Sequence, residues 1–388
     1  MNEIREIGTG SPCPATSPAG ASYEQRREGC ASILLDGGAS APPIYDIEDV
    51  IGYDALWDSM EKCRKGVAWK GSVQSFLLNA PVQIDKLCDQ LHSGTYVPKA
   101  PKHFVITSPK RREIVGIAFR DRIVQRSYND NVIYPCMSRS WIYDNYACQK
   151  GKGTDFARNR MRAHLERQAR LNGPDFYVLV IDVRGYYDNL LYEVMGERFY
   201  STCPRWAASF ACDVIQNQYG YGERGVNPGS QLVQISGVDY LSHIDHFVKE
   251  ELRVRGYGRY MDDLVFVHSD LGFLVECRDE VARRMSWVGL EQHPKKTRVV
   301  RAADGFRFLG FDWRVASDGA VVQTLKTENV KAMRRRIRRL WNLERSGERP
   351  DGTTDTAYAG WRAHACKGDG WRVLESNDNW YLNLTGRT

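Results

Sequence analysis

Two short runs of large apolar residues stand out in the middle of the chain, and aspartate borders both. The first covers residues 176–181 (FYVLVI) and leads into Asp182, and the second covers residues 264–267 (LVFV) and follows the pair Asp262-Asp263. A run that is apolar at every position predicts a strand buried on both faces. Because side chains alternate across a strand, two neighbouring aspartates can converge on one site only at a turn. The stretch Tyr257–His268 is therefore predicted to be a tight hairpin with acid at its tip, with a solvated Asp-Asp turn as the alternative.

Elsewhere the apolar residues recur at helical spacing. Leu56, Met60 and Cys63 predict one helix, and the apolar positions between Phe76 and Leu91 predict a second helical stretch. Further helices are predicted to open at Asp121, to cover Trp206 to Val214, to bury a stripe from Ile235 to Val248, and to run from Val275 to Val288. Residues 8–43, rich in Gly, Ala, Ser and Pro, predict a flexible extension.

A β-hairpin with a cationic tip is predicted between His103 and Ile117, because two apolar runs flank the segment 108–112 (SPKRR). Such a tip suits phosphate groups, although a solvated charged turn is the plain alternative. The glycine-rich loop 151–154 (GKGT) could also approach a phosphate backbone, which is weak evidence alone. A further hairpin strand is predicted over 306–311 (FRFLGF).

The last 60 residues are predicted to be helical and basic. From Lys326 an apolar face is interleaved with five arginines, which favour a nucleic-acid surface over a merely solvated one; they are Arg334, Arg335, Arg336, Arg338 and Arg339. Four residues near the end are predicted to form a small aromatic cluster, namely Tyr358, Trp361, His364 and Trp371.

Composition narrows the class of protein. The chain has 388 residues, 42% of them hydrophobic, so it can bury a sizeable core. The net charge of +6 is compatible with a polyanionic partner but is weak evidence alone. Ten cysteines without CxxC spacing, an N-terminus without an apolar leader and the lack of a ~20-residue apolar run predict a reduced, cytoplasmic protein without membrane contact.

The acidic residues suggest a metal chemistry. Asp182 ends one buried strand, and Asp262 and Asp263 open another about eighty residues later. Such carboxylates can hold two divalent cations about 4 Å apart, one activating a 3′-hydroxyl and the other stabilising a leaving pyrophosphate. Oxygen ligands favour Mg²⁺, with Mn²⁺ as a substitute.

These motifs resemble those of reverse transcriptases. The hairpin sequence Tyr260-Met261-Asp262-Asp263 resembles the catalytic hairpin of that family, and residues 180–188 (VIDVRGYYD) resemble its first catalytic motif. Residues 111–114 and 121–125 are similar to its fingers motifs, and Phe308, Leu309 and Gly310 to its primer grip. The resemblance implies an α+β right-hand polymerase fold whose palm is an antiparallel sheet with helices on one face. The implied divisions are an extension (1–45), fingers (46–175), palm (176–324) and a basic helical thumb (325–388).

The resemblance also implies roles for individual residues. Asp182, Asp262 and Asp263 would be the metal ligands, and Lys296 would protonate the departing pyrophosphate. Tyr187 would exclude a 2′-hydroxyl. The remaining implied contacts are Lys110 and Arg112 to the incoming triphosphate, Gln234 to the nascent base pair, and Phe308, Leu309, Gly310, Arg334, Arg335 and Arg338 to nucleic acid.

Within that family, the motifs resemble those of bacterial retron-type, diversity-generating and defence-associated enzymes. The loop Asn227-Pro228-Gly229 lacks the Gln that many of these enzymes carry there, and Leu232-Val233-Gln234 keeps only the Gln of another typical motif. The hypothesis is an RNA-directed DNA polymerase that uses deoxynucleotide triphosphates to make DNA on a structured non-coding RNA in antiphage defence. An accessory protein or homo-oligomer is left open. The alternatives are a diversity-generating enzyme, an RNA-dependent RNA polymerase, which Tyr187 opposes, and a catalytically silent RNA-binding scaffold, which the three carboxylates oppose.

Overall fold

The computed structural model describes residues 45–106, 111–219, 222–226 and 229–387. Helices and antiparallel sheets are both present, which confirms the predicted α+β class. The predicted extension lies outside the described residues apart from Tyr45. No helix in the described ranges is long and apolar enough to span a membrane.

The N-terminal half of the described chain is mainly helical. Its helices are α1 (Glu48–Ile51), α2 (Tyr53–Arg64), α3 (Gly71–Leu77), α4 (Ala80–His92), α5 (Phe119–Tyr128), α6 (Tyr134–Met137), α7 (Thr154–Asn172), α8 (Tyr192–Thr202) and α9 (Arg205–Tyr219). A π-helical segment, Asn129–Ile133, joins α5 to α6. The predicted second helical stretch is in fact two helices, because the chain turns at Leu78 and Asn79 and Pro81 then starts α4. Leu78 is exposed rather than part of an apolar stripe.

The two strands of the hairpin predicted between His103 and Ile117 are present. Strand β1 (Lys102–Ile106) pairs antiparallel with β2 (Arg112–Gly116), and Ile106 lies opposite Arg112. Residues 107–110 of its tip, including Lys110, lie outside the described residues. Phe104 and Val105 are each half exposed, so β1 is the solvent-facing strand of this two-stranded ribbon.

A four-stranded antiparallel sheet forms the centre of the fold. Its strands are β3 (Tyr177–Asp182), β4 (Gly256–Tyr260), β5 (Asp263–His268) and β6 (Arg298–Arg301), in the spatial order β4-β5-β3-β6. The two apolar runs are the two inner strands, which explains why they are apolar at every position. Tyr257–His268 is the predicted hairpin, with β4 and β5 paired across its turn.

The sheet is covered on both faces. Leu179 and Phe266 belong to the cluster that contains helix α12 (Leu271–Trp287), which begins four residues before its predicted start. Val178 and Val265 point the other way, into a cluster with helix α7. Helices therefore pack on both faces of the sheet, whereas the sequence predicted helices on one face. The reason is that both inner strands are apolar at every position and so direct large apolar side chains to both faces.

Helix α10 (Gln231–Asp239) leads toward the hairpin. The stripe predicted to continue to Val248 is interrupted at Tyr240 and Leu241, after which come α11 (Ser242–His246) and a π-helical segment, Phe247–Glu251. The interruption leaves carbonyl groups at the end of α10 without partners inside the helix.

A second, three-stranded antiparallel sheet follows the first. It consists of β7 (Phe306–Phe308), β8 (Phe311–Val315) and β9 (Val321–Leu325). The run 306–311 is therefore not one strand, because Leu309 and Gly310 both have positive φ and form the turn between β7 and β8. Phe306, Phe311 and Trp313 pack beneath the four-stranded sheet.

Three helices end the described chain: α13 (Thr327–Arg345), α14 (Thr353–Ala365) and α15 (Trp371–Thr385). Tyr358 stacks on Tyr381 with 4.0 Å between ring centroids, and Trp361 packs beside them. The predicted aromatic cluster is wrong for two members. Trp371 is 62% exposed, and His364 packs on Phe311 of the second sheet instead.

Candidate active site

The strand register brings two carboxylates directly opposite each other. In the antiparallel pair of β3 and β5, Asp182 lies opposite Asp263. Such residues point to the same face of the sheet, with Cβ atoms about 4.5–5.5 Å apart. Asp262 is the second residue of the two-residue turn, and its carbonyl accepts a hydrogen bond from the amide of Val183 at 3.3 Å. The turn thus places the third carboxylate at the end of the same two strands.

The surroundings of Asp263 change the protonation of its carboxyl group. Burial, together with the smaller effect of the negative charges of Asp262 and Asp182, raises the pKa of Asp263 to about 7. The ammonium group of Lys296 opposes the shift. Three carboxylates therefore lie near the ammonium group of Lys296, and a bound cation would relieve the excess of negative charge.

The ammonium group of Lys296 forms a salt bridge with the carboxylate of Asp182. Its Nζ donates to Oδ1 at 2.9 Å and to Oδ2 at 2.8 Å, while the lysine side chain stays 56% exposed. The loop before β6 holds it there, because the amide of His293 donates to the carbonyl of Asp182 at 2.7 Å. The predicted proton donor is thus in contact with a predicted metal ligand.

The donor chemistry fits Mg²⁺, which prefers oxygen ligands. However, no set of three or more His, Cys, Asp or Glu side chains in the described ranges is arranged to hold a metal ion. Two of the three predicted ligands share a sheet face, and the ammonium of Lys296 bridges both oxygens of Asp182. To hold a cation together, the carboxylates would have to exchange this lysine contact and rotate toward one another.

Tyr187 lies in a narrow slot beside the hairpin. Its ring is so close to Gly237 of α10 that a Cβ there would be 3.1 Å from the phenol oxygen. On the other side, its hydroxyl donates to Sδ of Met261 at 3.8 Å. Burial, with a smaller contribution from the negative charge of Asp262, raises the pKa of Tyr187 well above its ordinary value, so the phenol stays neutral. A rigid, neutral ring next to the carboxylates suits a steric role.

The start of α10 is tied to the N-terminal half of the chain. Ser230 caps the helix by accepting from the amide of Leu232 at 3.2 Å, and its own hydroxyl donates to Gln125 of α5 at 2.7 Å. A Cβ on Gly229 would be only 2.2 Å from the carbonyl oxygen of Val115 on β2, so this approach requires glycine. Gln234 is half-buried on α10, one turn before Gly237. The sequence had marked residues 227–229 as unusual without revealing this contact with β2.

The remaining predicted contact residues are spread over the molecule. The backbone of Arg112 opens β2. Phe308 is buried and its carbonyl accepts from Nε1 of Trp313 at 3.1 Å, while the turn residue Gly310 approaches His364 of α14.

The arginines of α13 differ from one another. Nε of Arg334 donates to Oδ1 of Asn377 at 2.7 Å and its guanidinium lies over Trp380, so it braces α13 against α15. Arg338 also lies over Trp380, with 5.9 Å to the ring centroid, but it is exposed and lines a surface cavity of about 350 Å³ together with Arg335. The other lining residues are Arg339, Asn342 and Leu343. Prediction from composition alone could not separate the bracing arginine from those that face solvent.

Comparison with known proteins is consistent with these motifs. A family model described as "Reverse transcriptase (RNA-dependent DNA polymerase)" matches residues 97–313. No curated protein sequence matches the chain. Similar solved structures include apo telomerase from Candida tropicalis, truncated from its C-terminal domain, with 15% identity and a TM-score of 0.43 over 58% of this chain and 55% of that one. Telomerase from Candida albicans, in complex with a fragment of telomeric RNA, has 12% identity and a TM-score of 0.43 over 64% of this chain and 51% of that one. The chain spans about half the length of these structures.

Proposed function

The chain belongs to the reverse transcriptase (RNA-dependent DNA polymerase) family, and from this premise we propose that it is an RNA-directed DNA polymerase. It would join deoxynucleotides to the 3′ end of a primer paired with an RNA template. The observation that carries the proposal is the strand register that sets Asp182 opposite Asp263, with Asp262 in the adjoining turn. Three carboxylates at one end of two buried strands are costly unless a cation or a substrate contact compensates their charge.

Asp182, Asp262 and Asp263 are the proposed holders of two Mg²⁺ ions, with Mn²⁺ as a substitute. When bound, such ions lower the pKa of the attacking 3′-hydroxyl and neutralise charge on the leaving pyrophosphate. The chain's own contribution is to fix the carboxylates on rigid strands. Lys296 is proposed to leave Asp182 for the pyrophosphate, where its ammonium can donate a proton.

Tyr187 is proposed to select the sugar. Its ring contacts Gly237 on one side and Met261 on the other, and in this position it would clash with a 2′-hydroxyl. Gln234, one turn earlier on α10, is proposed to contact the nascent base pair. A gate held from both sides favours deoxynucleotides over ribonucleotides.

The surrounding segments are proposed to bind nucleic acid and triphosphate. Residues 46–175 would be the fingers, with Lys110 and Arg112 near the triphosphate, and residues 176–324 the palm. Residues 325–388 would be the thumb, whose solvent-facing Arg335 and Arg338 meet backbone phosphates. The turn at Leu309 and Gly310, with Phe308 buried behind it, would support the primer end.

Template dependence tests the polymerase proposal. Purified protein is given an RNA template with a DNA primer, Mg²⁺ and deoxynucleotide triphosphates. We expect an extended product that deoxyribonuclease destroys and that fails to form when the template is omitted. Incorporation of ribonucleotides at the same efficiency would refute the gate, and no incorporation with either Mg²⁺ or Mn²⁺ would favour a catalytically silent RNA-binding scaffold.

The biological role is proposed from motif resemblance to bacterial enzymes. The template would be a dedicated, structured non-coding RNA and the DNA product would act in antiphage defence. The eight described cysteines are free thiols, which supports a reducing cytoplasmic location. Sequencing the nucleic acids that co-purify with the protein would test this role. One recurrent RNA with its complementary DNA is expected, whereas mutated copies of a variable repeat would indicate a diversity-generating enzyme.

A further inference from the structure

A charged side chain is fully buried directly beneath the acidic turn. Arg259, on β4, has 0% of its side chain exposed, as has its partner Asp245 on α11. Nε of Arg259 donates to Oδ1 of Asp245 at 2.8 Å, and a second guanidinium nitrogen donates to Oδ2 at 2.6 Å. Tyr257 donates to the same carboxylate at 2.6 Å. Burying an ion pair is expensive, so a pair at this position calls for a reason beyond stability.

The rest of the guanidinium points at two backbone carbonyls. Nη1 donates to the carbonyl of Met261 in the turn at 3.0 Å, and Nη2, which also donates to Asp245, donates to the carbonyl of Val238 in the last turn of α10 at 2.8 Å. The carbonyl of Val238 is among the last four of its helix, which have no partner within the helix. Arg259 therefore joins the hairpin turn to the end of α10 through a planar, rigid fork.

Both carbonyls belong to segments that also contribute residues to the candidate active site. Met261 immediately precedes Asp262, and Val238 immediately follows Gly237. Met261 also has a φ of +55°, a conformation that a residue other than glycine adopts only when its surroundings enforce it. The slot that holds Tyr187 lies between these same two segments.

We propose that Arg259 is a positioning residue that sets the distance between the acidic turn and α10, and so fixes both the carboxylate of Asp262 and the sugar gate Tyr187. The inference rests on the proposed polymerase function. Arg259 does not touch substrate, because it is fully buried; it acts through the carbonyls that it holds.

The test substitutes lysine for this arginine. An ammonium group can keep its charge beside Asp245, but it cannot reach Asp245, Val238 and Met261 together, so R259K loosens the turn. Arg198 supplies a matched control, because it forms a similar fork on the buried Asp239 of α10, at 2.6 and 3.2 Å, without contacting the turn. R198K should therefore lose comparable stability and leave the site intact.

Two readouts separate positioning from stability. The first is Mn²⁺ affinity without nucleotide, followed by the electron paramagnetic resonance signal of free Mn²⁺, and the second is the ratio of kcat/KM for a deoxynucleotide to that for its ribonucleotide. Since a misplacement of about 1 Å can cost about 100-fold in rate, we expect R259K to lower discrimination by about tenfold and to weaken Mn²⁺ binding several-fold. R198K should match wild type in both.

A second variant guards against loss of folding. The double variant R259Q/D245N removes both charges together, which avoids leaving one charge buried alone. It should share the two site defects of R259K. Equal Mn²⁺ affinity and equal discrimination in wild type and either Arg259 variant would overturn the inference. Failure of wild type itself to bind Mn²⁺ and to polymerise would instead overturn the proposed function.

Discussion

Replacing Gly229 with alanine should disable the site from a distance. A Cβ on Gly229 would lie 2.2 Å from the carbonyl oxygen of Val115 and 3.2 Å from its carbonyl carbon. The obstacle is backbone rather than a mobile side-chain end, and Val115 is only 4% exposed, so it cannot yield easily. Ordinary van der Waals contact begins near 3.4 Å, so the two segments must separate by about 1 Å.

The cost of this separation has two parts. Overpacking at such a site destabilises by about 1–3 kcal/mol, which lowers Tm by several degrees. The larger effect is on activity, since Gly229 precedes Ser230, which caps the helix that carries Gln234 and Gly237. A displacement of about 1 Å at that helix should lower kcat/KM for deoxynucleotides by about 100-fold.

The assay compares G229A with G222A. A Cβ on Gly222, in the same connection, would find the carbonyl oxygen of Arg224 at 3.8 Å, which is ordinary contact. Primer extension on an RNA template and a thermal melt are measured for both variants. We expect G222A to resemble wild type in both. Wild-type extension by G229A would refute the close approach of this loop to β2, and so the coupling of β2 to α10.

Three further predictions follow from other contacts. Y187A should lower the preference for deoxynucleotides over ribonucleotides by about tenfold or more in a competition assay, because the confined ring is removed; an unchanged preference would place the gate elsewhere. E344Q should lower Tm at pH 7, because hydrogen bonds from Thr354 hold the pKa of Glu344 down to about 2. Since that folded-state pKa lies below the unfolded value, its stabilisation is complete above about pH 5 and disappears as pH falls toward about 2; melts of wild type and E344Q should therefore converge in acid. G258A should destabilise by about 1–3 kcal/mol or more in urea unfolding, because its Cβ would lie 2.0 Å from the phenol oxygen of the buried Tyr146, whereas G360A, in open space, should not.

The central hairpin could be predicted from sequence because its signals are local. The two runs that are apolar at every position predicted buried strands. Because side chains alternate across a strand, the neighbouring Asp262 and Asp263 could converge only at a tight turn. The pairing of Asp182 with Asp263 could not be predicted from pattern alone, because the two strands are about eighty residues apart and no local rule sets their register. The sequence grouped the three carboxylates as metal ligands, but it did not give the register that sets Asp182 opposite Asp263.

Contacts made by backbone atoms could not be predicted from the sequence. Gly229 looked like an ordinary turn glycine, yet its position is dictated by the carbonyl of Val115. Arg259 carried one usable signal, because strand alternation places it on the same buried face as Tyr257. A charge on that face indicates a buried partner, but nothing in the sequence identified Asp245. Likewise, the run 306–311 looked like one strand, since positive φ at Leu309 is invisible to periodicity.

The most direct test of the account is the rate of single-nucleotide addition to a DNA primer on an RNA template with Mg²⁺, measured for wild type, D182N, D263N and D188N. Asp188 is a nearby exposed carboxylate outside the paired strands, so it controls for loss of charge. The account predicts that wild type and D188N add the nucleotide at similar rates and that D182N and D263N are slower by at least about 100-fold. Nucleotide addition by D182N or D263N at the wild-type rate would contradict it.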